Sequence, residues 1–205
     1  MVRATAMSDA EKRELRQQIL DTAMRIMGDV GAHGLSMRRL ATEVGFSTMV
    51  LYNFFRDKEE IVAALYLRGF TELGEELKAV RRFSDARRHI EALGHAYRRF
   101  ALRCPACYQL MFGAPVKEFT PDQDCLEKSY LCMEVLTAAV IEGQKQGLFI
   151  ELPVEMLVLQ LWSAVHGMVS LELRGYFETR QDATAAFEIR VETALRGLLK
   201  EVAKC

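Results

Sequence analysis

Proline and glycine are scarce in this chain, at 4 and 13 of 205 residues, and hardly any stretch alternates apolar with polar side chains. Those shortages weigh against half-buried strands, and helical spacing dominates instead, so the expected class is all-α. A surplus of one charge is missing too. The formal net charge is -1, so no overall basicity announces a nucleic-acid partner, and any such argument must rest on local placement. No long apolar run is free of polar residues. The most apolar stretch, residues 156–173, contains Gln160, His166 and Glu172, a load that a membrane span rarely tolerates, so a helix buried in protein is expected there. No apolar stretch follows the basic residue near the N-terminus, and a secretory signal is not expected. Five cysteines without such a signal point to reduced thiols in the cytoplasm. Catalytic signatures are lacking as well: there is no nucleophile elbow, no phosphate-cradling glycine loop and no paired-histidine metal motif. Neither an enzyme nor a cofactor or metal site is the favoured reading.

What the chain does have is a succession of helices with readable ends. Half of its residues are apolar, enough for one large domain or two smaller ones. Ser8 and Glu11 have capping-box spacing, followed by an apolar stripe of Leu15, Ile19, Ala23, Ile26 and Met27. Ser36 is placed to cap a short helix that faces Met37, Leu40, Ala41 and Val44 inward, and Gly45 breaks it. Ser47 then caps a brief third helix anchored by Leu51, Phe54 and Phe55. Asp57 and Glu60 open a long fourth helix. Further helices are expected from Ser84 to about residue 103, where Cys104-Pro105 stops the chain. The next runs from the Thr120-Pro121 start to about 146, one more from Pro153 to about 174, and the last from Asp182 through a stripe ending at Leu198 and Val202.

Two short helices joined by a glycine-led turn make a helix-turn-helix, whose second helix can enter a DNA major groove. With Leu51 and Phe55 turned inward, helical spacing leaves Thr48, Met49, Tyr52 and Asn53 outside. The small side chains at that helix's start, with its cap Ser47, suit base edges and thymine methyl groups. Tyr52, Asn53 and Lys58 are placed to hold phosphates. On the preceding helix, with its cap Ser36, Arg38 and Arg39 offer a guanine contact and a further phosphate contact. Lys12, Arg13, Arg16 and Arg56 would add to a basic side.

The segment GLSMRRLATEVGFSTMVLYNFFRDKEEI, residues 34–61, resembles the DNA-binding signature of the TetR family (AcrR-like regulators). The resemblance rests on Ser36, Gly45-Phe46, Leu51-Tyr52 with Phe55, and Lys58-Glu59. Val50 and Asn53-Phe54 depart from the usual pattern. Trp162-x-x-x-His166-Gly167 is similar to an element in the C-terminal domains of one TetR subgroup. The resemblance implies a helix-turn-helix domain at residues 1–57 and a ligand-binding and dimerisation domain at 58–205. It further implies a homodimer through the last two helices, and a repressor that leaves a palindromic operator when a small effector binds. Tyr97, Phe112, Met133, Trp162 and His166 are the candidate pocket residues, and their character favours an apolar or aromatic ligand. The competing reading is a redox- or metal-responsive regulator built on Cys104-Pro105-Ala106-Cys107. As a zinc site this CxxC would need further ligands such as Cys125, Cys132, His95 or His166.

Overall fold

The computed structural model describes residues 7–113 and 119–200. Ten α-helices account for nearly all regular structure, and no strand occurs among the described residues. The helices are α1 (Asp9–Val30), α2 (Met37–Val44), α3 (Thr48–Tyr52), α4 (Lys58–Lys78), α5 (Ala86–Arg103), α6 (Pro105–Phe112), α7 (Gln123–Tyr130), α8 (Glu134–Lys145), α9 (Val154–Leu173) and α10 (Arg180–Arg196). The chain is all-α, as its patterning implies.

Packing divides it into two compact units, Met1–Phe70 with Cys104–Ser129, and Thr71–Arg103 with Tyr130–Cys205. This division falls inside α4 and not at residue 57/58. The physical reason is that the first turns of α4 bury Ile61, Val62 and Leu65 in the same core as Leu15, Ile19 and Ile26 of α1. The segment after α5 also joins the first unit. Ala106 of α6 meets Gly28 of α1, and Gly69 of α4 lies so close to α6 that a Cβ there would stand 2.7 Å from Cys107 Sγ.

In the first unit, helix ends are set within their own turns. Ser8 Oγ accepts from Glu11 N at 3.3 Å, and Ser8 N donates to Glu11 Oε2 at 2.7 Å, closing the expected capping box. Asp57 Oδ1 accepts from Glu60 N at 2.8 Å at the start of α4. Each such cap contributes about 1 kcal/mol.

The second unit departs from expectation at several ends. Asp85, not Ser84, receives the first-turn N–H groups of α5. Pro105 ends one helix and begins another, since a proline lacks only an N–H that a first turn leaves unused. Asp122, not Thr120, caps α7 by accepting from Cys125 N at 2.8 Å. The single helix expected from 120 to 146 breaks into α7, a 3₁₀ turn at Leu131–Met133, and α8. At that turn Cys132 is buried, packed 3.6 Å from where a Cβ on Gly74 would stand, while Tyr130 and Leu131 remain outside. The last helix stops at Arg196, and the cap of α10 is Thr179, with Asp182 as its capping-box partner. Beyond it Leu199 forms an isolated antiparallel bridge with Phe149, and Ile150 N donates to Leu198 O at 2.9 Å. Val202 lies outside the described residues.

α9 is long and apolar enough, by length and composition, to cross a membrane. Its inner face (Leu157, Leu161, Ala164, Val169) packs in the second unit, but Met156, Leu159 and Leu171 are more than two-fifths exposed. The expectation of a helix buried in protein holds for one face only. On α10, Phe187, Val191 and Leu195 point inward and Ile189 is 67% exposed. Between α5 and α9 runs a part-buried ion pair: Arg98 Nε and Nη2 donate to the two Glu172 oxygens at 2.7 Å each, and Arg98 Nη2 also reaches Thr184 Oγ1 at 2.9 Å.

Candidate nucleic-acid interface and interior cavity

In the first unit, α2 and α3 form the expected helix-turn-helix. Ser36 Oγ accepts from Arg39 N at 3.2 Å to start α2. Gly45 ends α2 with φ 82°, a left-handed conformation that side-chain-bearing residues rarely adopt. Phe46 N then returns to Ala41 O at 3.0 Å, closing the turn. Ser47 Oγ accepts from Val50 N at 3.4 Å to start α3, which lasts one turn and a half, with Asn53 as its C-cap. Leu51 and Phe55 are buried and hold the short helix against α1, where Arg16 stacks 4.8 Å from the Phe55 ring centre.

With those anchors fixed, Ser47, Thr48, Met49, Tyr52 and Asn53 are all exposed, Met49 to 76% and Tyr52 to 54%. Apolar side chains that open to water, on a helix too short to need them for packing, suit a surface made to be covered. Ser36 and Arg38 are also exposed, and Arg39 and Lys58 are half-buried.

The basic residues are not equivalent. Arg39 Nε donates to Glu43 at 2.9 Å, and Arg25 reaches the same carboxylate, so the two guanidiniums hold Glu43 below the usual carboxylate range. Lys12 pairs with Asp9 and Arg56 with Asp57. Arg38 has no carboxylate within ion-pair distance among the described residues, which leaves its guanidinium for an external anion or base. The Arg25–Glu43–Arg39 network was not legible as a unit, because Arg25 and Glu43 lie 18 residues apart on different helices.

Of the five proposed pocket residues, four lie in the second unit. Tyr97, Met133 and Trp162 line a cavity of about 40 Å³ with apolar walls that include Ile90, Leu93 and Leu161. Beside it Tyr97 and Trp162 belong to a chain of polar contacts. Trp162 Nε1 donates to Tyr97 Oη at 3.3 Å, Tyr97 Oη lies 3.0 Å from His166 Nδ1, and His166 Nε2 lies 3.4 Å from Ser170 Oγ. Phe112 does not join them: it belongs to the first unit, where its ring meets Phe70 and Tyr108. Sequence spacing marks no helix between Cys104 and Thr120, so it could not assign Phe112 to a core.

Burial pushes the His166 imidazole below its ordinary range. An unfolded histidine titrates near about 6.5, so between that value and the lower folded one the unfolded chain binds more protons. Stability from this site is therefore complete above about pH 6.5 and lost as pH falls below it. His89 shifts the same way, first through burial and then through the charge of Arg82. Thermal unfolding followed from pH 7 to 5 should show a falling midpoint, with a shallower fall in His166→Gln. Equal slopes for the two proteins would remove His166 from the account.

The structure does not gather a metal site around the CxxC. No three His, Cys, Asp or Glu side chains among the described residues converge on one point. Of the ligands considered, Cys125 shares the first unit with Cys104 and Cys107, whereas Cys132, His95 and His166 lie in the second.

Comparison with known proteins bears on both units. Residues 19–65 match the family profile described as bacterial regulatory proteins, tetR family, and residues 90–194 match that of the tetracyclin repressor-like C-terminal domain. YobS of Bacillus subtilis (strain 168), described as an uncharacterised HTH-type transcriptional regulator, is 26% identical over 186 residues, 90% of this chain and 92% of its own. Among solved structures, a Rhodococcus sp. RHA1 protein of unknown function superposes with a TM-score of 0.81 at 26% identity, over 97% of this chain and all of its own. A TetR family transcription regulator from Marinobacter aquaeolei VT8 shares the fold at a TM-score of 0.72 and 21% identity, over 95% of this chain and 100% of its own.

Proposed function

This chain belongs to the TetR family of bacterial transcription regulators, and from that premise we propose that it is a cytoplasmic repressor released from a palindromic operator by a small apolar or aromatic effector. DNA-binding regulation is the activity of the family, whose members are non-enzymatic. The observation that supports the choice of reading surface is the exposure of Thr48, Met49 and Tyr52 on a helix whose opposite side is locked by Leu51 and Phe55. In this reading Ser47, Thr48 and Met49 meet base edges, Arg38 reads a guanine, and Ser36, Tyr52, Asn53 and Lys58 position phosphates. Arg39 must exchange Glu43 for a phosphate to take part.

A homodimer is supported by the outer face of α9. Met156, Leu159 and Leu171 are exposed there, and Gly167 faces open space within 4 Å of the position a Cβ would take. A mid-helix glycine costs about 1 kcal/mol relative to alanine, and close approach of a second helix is one way to offset it. With Ile189 of α10, this face suits the pairing of the last two helices with their counterparts. Two heads would then address half-sites about 34–36 Å apart. The effector is assigned to the cavity beside Tyr97, Met133 and Trp162, with His166 orienting Tyr97. At about 40 Å³ the cavity holds little more than a few waters, so an effector must open it. α4 carries that change along the chain, since its residues belong to the first unit up to Phe70 and to the second from Thr71. A coupling of about 1–3 kcal/mol between effector and DNA is the expected scale.

The test is a gel-shift with the intergenic DNA upstream of the chain's own gene. Tyr52→Ala should weaken binding to every duplex by about tenfold, and Arg38→Ala should lose about 1–3 kcal/mol mainly on the preferred site. Binding must also fall log-linearly with salt. Wild-type affinity in both variants would move the reading surface elsewhere.

A further inference from the structure

We propose that Cys104 and Cys107 form a modification site, a vicinal dithiol that low-molecular-weight disulfides convert reversibly to an intramolecular disulfide. Cys104 is the N-cap residue of α6 and Cys107 stands three positions on, with Pro105 at the first helical position. The first turn is closed by Tyr108 N donating to Cys104 O at 3.0 Å. That spacing puts the two side chains on one face of a single turn. In this same chain it brings Ser8 Oγ to Glu11 Oε2, and Thr179 Oγ1 to Asp182 Oδ2, at 2.8 Å. Both thiols are reduced in this structure.

The two sulfurs differ in a way that orders the reaction. Cys104 is half-exposed, whereas Cys107 is 2% exposed, packed against Gly69 and 3.9 Å from Met111 Sδ. Cys104 is the sulfur that an incoming disulfide can reach, so it is the attacking one. Its thiolate attacks one sulfur of the incoming disulfide, forming a mixed disulfide and releasing one thiolate. Cys107 then gives up its proton and attacks the Cys104 sulfur, expelling the second thiolate. Two protein thiols are oxidised, one small disulfide is reduced to two thiols, and the two protons lost by the cysteines end on those products. The remaining described cysteines are poor competitors. Burial, and after it Asp122, pushes the Cys125 thiol up, and burial pushes Cys132 up to about 12.

Turning Cys107 Sγ toward Cys104 takes it off Gly69, so oxidation is felt at the contact of α6 with α4 in the unit that holds the helix-turn-helix. The proposal itself does not depend on DNA binding.

The experiment uses the folded full chain carrying Cys205→Ser, treated with oxidised glutathione, quenched with an alkylating agent under denaturing conditions, and read by peptide mass. The expected product is a peptide containing both residues, lighter by two hydrogen atoms and restored by dithiothreitol. It should form on the order of a hundredfold faster than any adduct at Cys125 or Cys132. Cys107→Ser should stop at glutathione on Cys104, and Cys104→Ser, a change at a half-exposed position, should leave Cys107 unmodified. A stable glutathione adduct on Cys104 with Cys107 present, or no reaction at either residue, would overturn the proposal.

Discussion

Replacing Glu172 with alanine is expected to destabilise the second unit by about 2–3 kcal/mol, more than removal of any exposed ion pair among the described residues. The Arg98 and Glu172 side chains are only 11% and 10% exposed, and the guanidinium meets both carboxylate oxygens. Arg98 also lies 5.1 Å over the Phe187 ring, so it cannot swing to water without vacating a packed position. Losing the carboxylate leaves a part-buried cation among α5, α9 and α10, with Thr184 as a neutral hydrogen-bond partner and only the more distant charge of Glu188 to balance it. Much of the cost is therefore the desolvation of a poorly compensated charge, not the strength of the pair. That distinction makes a second expectation. Arg98→Met combined with Glu172→Leu should recover most of the loss, to within about 1 kcal/mol of wild type or beyond it. Urea unfolding with an unchanged denaturant slope is the measurement. If the single change costs less than about 1 kcal/mol, the pair is solvated in solution. By contrast, Lys12–Asp9 and Lys128–Asp124 are both well exposed, and their removal should be near the noise of the same experiment.

The pair also marks where sequence reasoning stops. Its members are 74 residues apart, and nothing in the pattern around either singles out the other. The helix-turn-helix was legible because its determinants are local. Ser36, Gly45 and Ser47 each act on atoms within five residues, and the inward anchors follow from helical spacing. The α-helical class was legible for the same reason. Misplaced ends share the opposite cause. Thr120 and Ser84 are plausible caps by residue type, but Asp122 and Asp85 sit one or two residues on and bind the first-turn N–H groups as carboxylates. Past the stop at Arg196, Leu199 pairs with Phe149, a residue from another segment. Phe149 is itself held against Gly143, where a Cβ would stand 2.4 Å from its ring. The aromatic and polar character of Tyr97, Trp162 and His166 marks them as pocket candidates, and hydrogen bonds join the three. Phe112 has the same character but falls in the other unit because α6 packs on α1 and α4.

Phe55→Ala should abolish sequence-specific DNA binding while leaving the second unit folded. Phe55 is 1% exposed and, with Leu51, fixes the one-and-a-half-turn α3, which is too short to persist on its own hydrogen bonds. Truncating a buried phenylalanine costs about 3–5 kcal/mol, the lost transfer energy plus the cavity left behind. It also removes the ring on which Arg16 of α1 stacks. The core around the helix-turn-helix is small, built mainly from α1 to α3 and the first half of α4, so a loss of this size is a large part of its stability. The effect must be separated from that of a contact residue. Tyr52→Ala should weaken DNA binding without moving the unfolding transition, because Tyr52 is 54% exposed. Phe55→Ala should move the transition and the affinity together, and Phe55→Leu should restore much of both. Hydrogen exchange supplies the independent readout: amides of α2 and α3 should lose protection in Phe55→Ala while those around Leu157 and Leu161 keep theirs. If affinity survives with α3 unprotected, the helix folds on DNA, and its anchors then set the cost of binding instead of the shape of the free surface.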